Sequence, residues 1–144
     1  MLKNLVFVAL AAAVAAGIGY ADQSAGKVVV PIHRTPANSG RQMYMSYCAT
    51  CHGADGKGNG PVAPELKQQP ADLSILSRNN GGKYPTEHVT AILQFGTEAS
   101  AHGTAEMPVW GPLLGRMDVN SPQPEMRALR ISNLNRFLES LQEK

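Results

Sequence analysis

The chain has 144 residues, a formal net charge of +2, 43% hydrophobic residues and 17% charged ones. That length argues for one domain, and so even a balance excludes a protein that holds nucleic acid by charge alone. With three Phe, four Tyr and one Trp set against 14 Gly and 10 Pro, a small loop-rich body must either be stapled or fill its core with something besides its own side chains.

In chain order, residues 1–21 stand apart. Lys3 is the only charge before Asp22, an Ala/Val/Leu-rich run follows it, and Gly19 and Ala21 are small residues at the two positions a signal peptidase reads. A cleaved secretory signal over residues 1–21 is expected, with delivery to the periplasm. The uncharged stretch 4–21 also reaches the short end of a bilayer span, so an uncleaved membrane anchor is the alternative. Either way the body is exported into an oxidising compartment, where a cysteine pair is by default a disulfide.

Residues 22–38 hold one short β-prone run, Val28 to Val30, cut off by Pro31, and read as an extended N-terminal arm. The domain proper is expected over 39–144. Ser39 with Gln42 three residues on fits a capping box, and a first helix is expected at about 40–50 with Met43, Tyr44, Tyr47 and Cys48 along one side. From Gly53 to Gly82, six glycines and three prolines leave room for no element longer than a turn or two. A loop of that length should be wrapping something. Within it, Asp72 in Pro70-Ala71-Asp72-Leu73 is a possible N-cap. The second helix starts with Thr86 as N-cap and ends before Gly96, with Val89, Ile92 and Leu93 as its apolar positions. Residues 97–120 read as irregular. The last helix begins near Pro122 or Pro124 and carries Met126, Leu129, Ile131, Leu134, Phe137, Leu138 and Leu141 on one broad face, with Arg127, Arg130 and Arg136 as a solvated rim. No strand pattern competes, so the fold class is all-α: three to four helices joined by long Gly/Pro loops.

Cys48-Ala49-Thr50-Cys51-His52 is C-x-x-C-H, the attachment motif of c-type haem. At a helix end, residues i and i+3 face one side, so two thiols can each form a thioether with a vinyl group of one porphyrin, and the adjoining His52 can bind the iron. A thioredoxin-like pair would want a βαβ context, and a plain disulfide would leave His52 without a role. Tetrahedral zinc would need further Cys or His at ligand spacing. One covalently attached haem c fits all five residues.

A second axial ligand must come from far along the chain. Met107, in Glu106-Met107-Pro108-Val109-Trp110-Gly111, lies in a loop stiffened by proline, and a thioether sulfur is a soft ligand suited to ferrous iron. Met43 and Met45 sit too close to the attachment site, Met1 is in the signal, and Met126 is on the core face of the last helix. Met117 and His102 remain as alternatives.

Gly40-x3-Tyr44-x2-Tyr47-Cys48-x2-Cys51-His52-Gly53, then Gly58-Asn59-Gly60-Pro61, then Met107-Pro108-Val109-Trp110-Gly111, then a terminal helix with Phe137 and Leu141, resembles a class I bacterial cytochrome c over roughly residues 39–142. The resemblance implies a mono-haem, His/Met-ligated domain whose first and last helices cross at right angles, with Gly40 permitting close approach and Tyr44 meeting Phe137. It also implies that the Pro61 carbonyl accepts from Nδ1 of His52. Tyr84, Trp110, Arg78 and Arg116 are candidate donors to the haem propionates, Trp110 foremost because it neighbours Met107. His33 and His88 read as surface histidines.

With both axial positions filled by protein, the expected role is that of an electron carrier and not an enzyme, exchanging single electrons with redox protein partners, as a monomer or as a subunit of a redox complex. A cytochrome subunit of an exported oxidoreductase, with the arm at 22–38 docking a larger subunit, is the alternative. A gas-binding or peroxidatic haem would need Met107 to be absent or labile. Nucleic acid is not an expected partner, and the membrane is one only if the signal segment is retained.

Overall fold

The computed structural model describes residues 33–97, 107–117 and 123–143. Among these residues there are six α-helices, two short 3-10 turns and no strand. The helices are α1 (Gly40–Tyr47), α2 (Ala49–His52), α3 (Leu76–Asn79), α4 (Thr86–Phe95), α5 (Trp110–Leu114) and α6 (Pro124–Ser140), with 3-10 turns at Ala63–Glu65 and Leu73–Ile75. None is long and apolar enough to cross a membrane among the described residues. The expected signal at 1–21 lies outside them, as does His102.

The Ser39 hydroxyl caps α1 by accepting from the Gln42 N–H at 3.3 Å. Gly40, Met43, Tyr44 and Tyr47, spaced for one helical face, are its buried residues. The helix expected over 40–50 is interrupted at Cys48, which takes φ −110° while its N–H still bonds the Tyr44 carbonyl at 2.8 Å. One further turn, α2, follows and stops at Gly53, whose φ is 79°.

α1 lies closely against α6. A Cβ on Gly40 would stand 2.0 Å from the Asn133 carbonyl oxygen and 3.0 Å from Phe137 Cβ, so only glycine lets the two backbones meet here. Tyr44 packs on Phe137 with ring centroids 5.1 Å apart, tilted by 48°, and its buried hydroxyl donates to the Gly53 carbonyl at 2.7 Å. Burial, with smaller contributions from the neighbouring Cys48 and Asp55, raises the Tyr44 phenol well above its ordinary range, which keeps it a neutral donor. α4 is tied to α6 by a buried chain: Tyr84 Oη donates to Asn135 Oδ1 at 3.0 Å, and Asn135 Nδ2 donates to Thr90 Oγ1 at 2.9 Å.

Three expectations are corrected. Thr86 is the first residue of α4, not its cap; Pro85 holds the cap position, and its carbonyl accepts from Val89 at 3.0 Å. The stretch read as irregular contains α5, a helix of five residues whose Gly111 and Pro112 disguise it. Arg130 is not on a solvated rim: it is 1% exposed, whereas Leu129, placed on the core face, is 41% exposed. The guanidinium is drawn inside because Nη1 donates to the Thr35 carbonyl at 2.9 Å and also lies 3.7 Å from the Met43 sulfur. Thr35 and its neighbours thus pack on the helices: Thr35 Oγ1 and Tyr47 Oη are 2.7 Å apart, and Asn133 Nδ2 donates to the Ala37 carbonyl at 2.9 Å.

Candidate functional site

The turn holding Cys48, Cys51 and His52 would leave its last carbonyls without partners if the chain simply ran on. The following loop folds back to take them up. The N–H groups of Val62, Gly60 and Gly58 donate to the carbonyls of Thr50 at 3.1 Å, Cys51 at 3.0 Å and His52 at 2.8 Å. A Cβ on Gly60 would lie 2.4 Å from the Thr50 carbonyl oxygen, so this close return requires glycine. The glycine-rich composition that argues against regular structure therefore rigidifies the motif.

Cys48 and Cys51 are both half-buried, and no disulfide joins them. Burial, reinforced by Cys51, pushes the Cys48 thiol up to about 12, so it is protonated at neutral pH. His52 is half-buried at the end of α2, and Nδ1 stands 2.9 Å from the Ala71 carbonyl oxygen. A carbonyl only accepts, so Nδ1 carries the proton and Nε2 is left with its lone pair. Burial lowers the imidazole pKa and outweighs the opposing pull of the Ala71 bond, so the ring is neutral, the form that binds metal.

The acceptor differs from the one expected. Pro61 is exposed and belongs to the loop that turns back over the end of α2, while the imidazole meets the Ala71 carbonyl. Asp72, as expected, caps the turn beside Ala71: its Oδ1 accepts from Ser74 N–H at 2.9 Å and Ser74 Oγ at 2.6 Å. The hydroxyl bond, foremost, holds its carboxyl below the usual carboxylate range.

Met107 is half-buried and packed on the core beside the start of α5. Trp110, 4% exposed, stacks on Tyr47 with centroids 5.7 Å apart and planes 30° from parallel. Tyr47 immediately precedes Cys48, so one aromatic pair connects the methionine segment to the cysteine turn. Met117 is buried, with its sulfur 3.4 Å from Tyr47 Oη, a packing role inside the core. Met43 is buried between α1 and Arg130, and Met45 is exposed on the outer side of α1. Of the candidate propionate donors, Tyr84 is engaged with Asn135 and Arg78 pairs with Glu143 at 3.3 Å, while Arg116 is exposed.

Residues 35–121 match the family model described as cytochrome c oxidase, cbb3-type, subunit III. The chain belongs to this family. It is a class I mono-haem c-type cytochrome domain, and its cofactor is covalently bound haem c. No curated protein matches the chain. The residues present fit that cofactor: two thiols three apart on one turn, an adjoining neutral imidazole with Nε2 available, and, among the described residues, no group of three or more His, Cys, Asp or Glu that would instead hold a bare ion. Within this cytochrome domain, the sequence points to Cys48, Cys51, His52, Met107 and Trp110. It carries no sign of Ala71, because a backbone carbonyl has no residue signature, or of the coupling through Tyr47.

Proposed function

We propose that this cytochrome domain is an exported electron carrier in which Cys48 and Cys51 form the two thioethers and His52 and Met107 are the axial ligands. The observation that carries the reading is the His52 ring, neutral and fixed through Nδ1 on Ala71, next to two cysteines on the same turn. When bound, haem c supplies a one-electron iron couple. His52 contributes a donor of fixed tautomer, and Met107 a soft sulfur that favours the ferrous state. Tyr47 and Trp110, both buried and stacked on each other, hold the Met107 segment against the cysteine turn. Residues 1–21 act as the export signal and 22–38 as the arm, whose end from Thr35 to Ala37 packs on the electron-transfer domain of 39–144, and that domain meets redox protein partners in small transient contacts.

A second reading is supported by the family description, which names an oxidase subunit. In that reading the same chemistry serves as an electron entry point within a larger complex, and the chain is a redox subunit without a catalytic site of its own.

Met107→Ala tests the ligand set. The expected result is an open sixth position, carbon monoxide binding to the reduced protein, and a reduction potential lower by on the order of 100 mV, a fraction of the roughly 0.8 V that axial ligands span. An unchanged spectrum and potential would put the ligand elsewhere.

A further inference from the structure

We propose that Gln142 is a positioning residue for His52, acting as a latch that holds the loop bearing the Ala71 carbonyl. The inference rests on the reading of His52 as an axial ligand.

The bond that fixes the His52 ring comes from a backbone carbonyl in an irregular segment, so its strength depends on what holds that segment. Upstream of Ala71, Gln69 Nε2 donates to the Gly58 carbonyl. Downstream, the Leu73 N–H donates to the Gly56 carbonyl at 2.6 Å. Both of these anchors are glycines of the loop that returns to the end of α2, so they tie the Ala71 segment to the cysteine turn and not to α6.

The tie to the rigid helical body is made by the residues after α6. Gln142 Nε2 donates to the Leu73 carbonyl at 2.7 Å and to the Leu138 carbonyl, one turn back on α6, at 2.8 Å. Gln142 Oε1 accepts from the Ser77 N–H at 2.8 Å. A single amide thus grips the first residue of the 3-10 turn that follows Ala71 and the Ser77 N–H just beyond that turn, and fastens them to the end of α6. The neighbouring Glu143 N–H adds a bond to the Ser74 carbonyl at 2.8 Å, and its carboxylate reaches Lys57 at 3.1 Å and Arg78 at 3.3 Å. Those ion pairs are solvent-exposed and weak. The amide is the specific element, because only a group that both donates and accepts can serve Leu73 and Ser77 together.

The test follows the His52 Nδ1 proton by NMR in the reduced, diamagnetic holo-protein. Gln142→Ala is expected to speed its exchange with solvent by about tenfold or more, since the Ala71 segment opens locally without global unfolding. Glu87→Ala, which alters only an exposed side chain in the first turn of α4, and Val89→Ala, which lowers global stability from a buried site on α4, are both expected to leave that exchange within about twofold of the parent. Exchange unchanged in Gln142→Ala, or accelerated equally by Val89→Ala, would overturn the latch. The same spectra report on the underlying reading. Ring protons of an iron-bound imidazole lie over the porphyrin and are displaced far upfield. His52 protons at ordinary positions would sink the ligand reading itself, whereas upfield protons with unchanged exchange would sink the latch alone.

Discussion

Replacing Cys48 and Cys51 together with alanine removes covalent haem and leaves the chain largely unfolded. Residues 53–82 carry only single turns of helix, and their backbone bonds lead mostly to the cysteine turn, to one another and to the end of α6. A segment of that kind has little apolar surface of its own to offset the entropy of ordering it, which is roughly 1–2 kcal/mol per residue for the backbone alone. The porphyrin supplies the missing apolar mass. Its attachment free energy is then folding free energy, as in small metallo-domains that are unfolded without their metal. The check is a haem stain after denaturing electrophoresis together with far-ultraviolet circular dichroism. Loss of the stain with loss of most helical signal is expected. Haem that survives electrophoresis in the double variant, or a haem-free chain with native helical content and a cooperative melt, would contradict the holo-dependent fold. Single variants should keep one thioether at much reduced yield.

Gly40→Ala gives the largest effect expected from a change that touches no cofactor ligand. The new Cβ would sit 2.0 Å from Asn133 O and 2.7 Å from Asn133 C, which are backbone atoms of α6 that cannot rotate aside. Relief requires α1 and α6 to part, and that loosens Tyr44 from Phe137 and strains the Tyr44 bond to Gly53. Overpacking in a close-packed core typically costs about 1–3 kcal/mol, and a backbone clash this short falls at the upper end. Alanine at the first helical position recovers little through propensity. For a domain of this size a loss of about 3 kcal/mol lowers Tm by roughly 10–20 °C. Thermal denaturation of holo-protein followed by circular dichroism measures it, and a Tm within about 3 °C of the parent would show that the helices do not meet as closely as described.

What is legible in the sequence follows from the range of the interactions involved. Ser39, the apolar period of α1 and α4, and Gly96 act within a few residues, and the structure carries them as read, apart from the break at Cys48 and the shift of the α4 cap to Pro85. The cysteine motif is local as well, since its chemistry is contained in five consecutive residues. The close approach at Gly40 and the Tyr44–Phe137 contact, both implied by family resemblance, reappear in the packing.

The features that escape a sequence reading depend on distant partners. Arg130 is buried because the backbone of Thr35, 95 residues away, presents a carbonyl to it, and helical periodicity counts any arginine as a surface residue. Leu129 is correspondingly turned outward. α5 is hidden because Gly111 and Pro112 read as breakers, although proline is tolerated in a first turn. The resemblance places the acceptor for His52 at Pro61, but the hydrogen bonds of Gly60 and Val62 commit that part of the loop to the end of α2, and Ala71 takes the role.

The central claim is a covalent haem with both axial positions closed by the chain's own residues. The absorption spectrum of the reduced wild-type protein with and without carbon monoxide tests it most directly. A low-spin c-type spectrum that carbon monoxide leaves unchanged is the result expected of a His52/Met107 electron carrier. A prompt spectral shift on adding the gas would mean an open iron, and both the assignment of Met107 as a ligand and the role in electron carriage would be wrong.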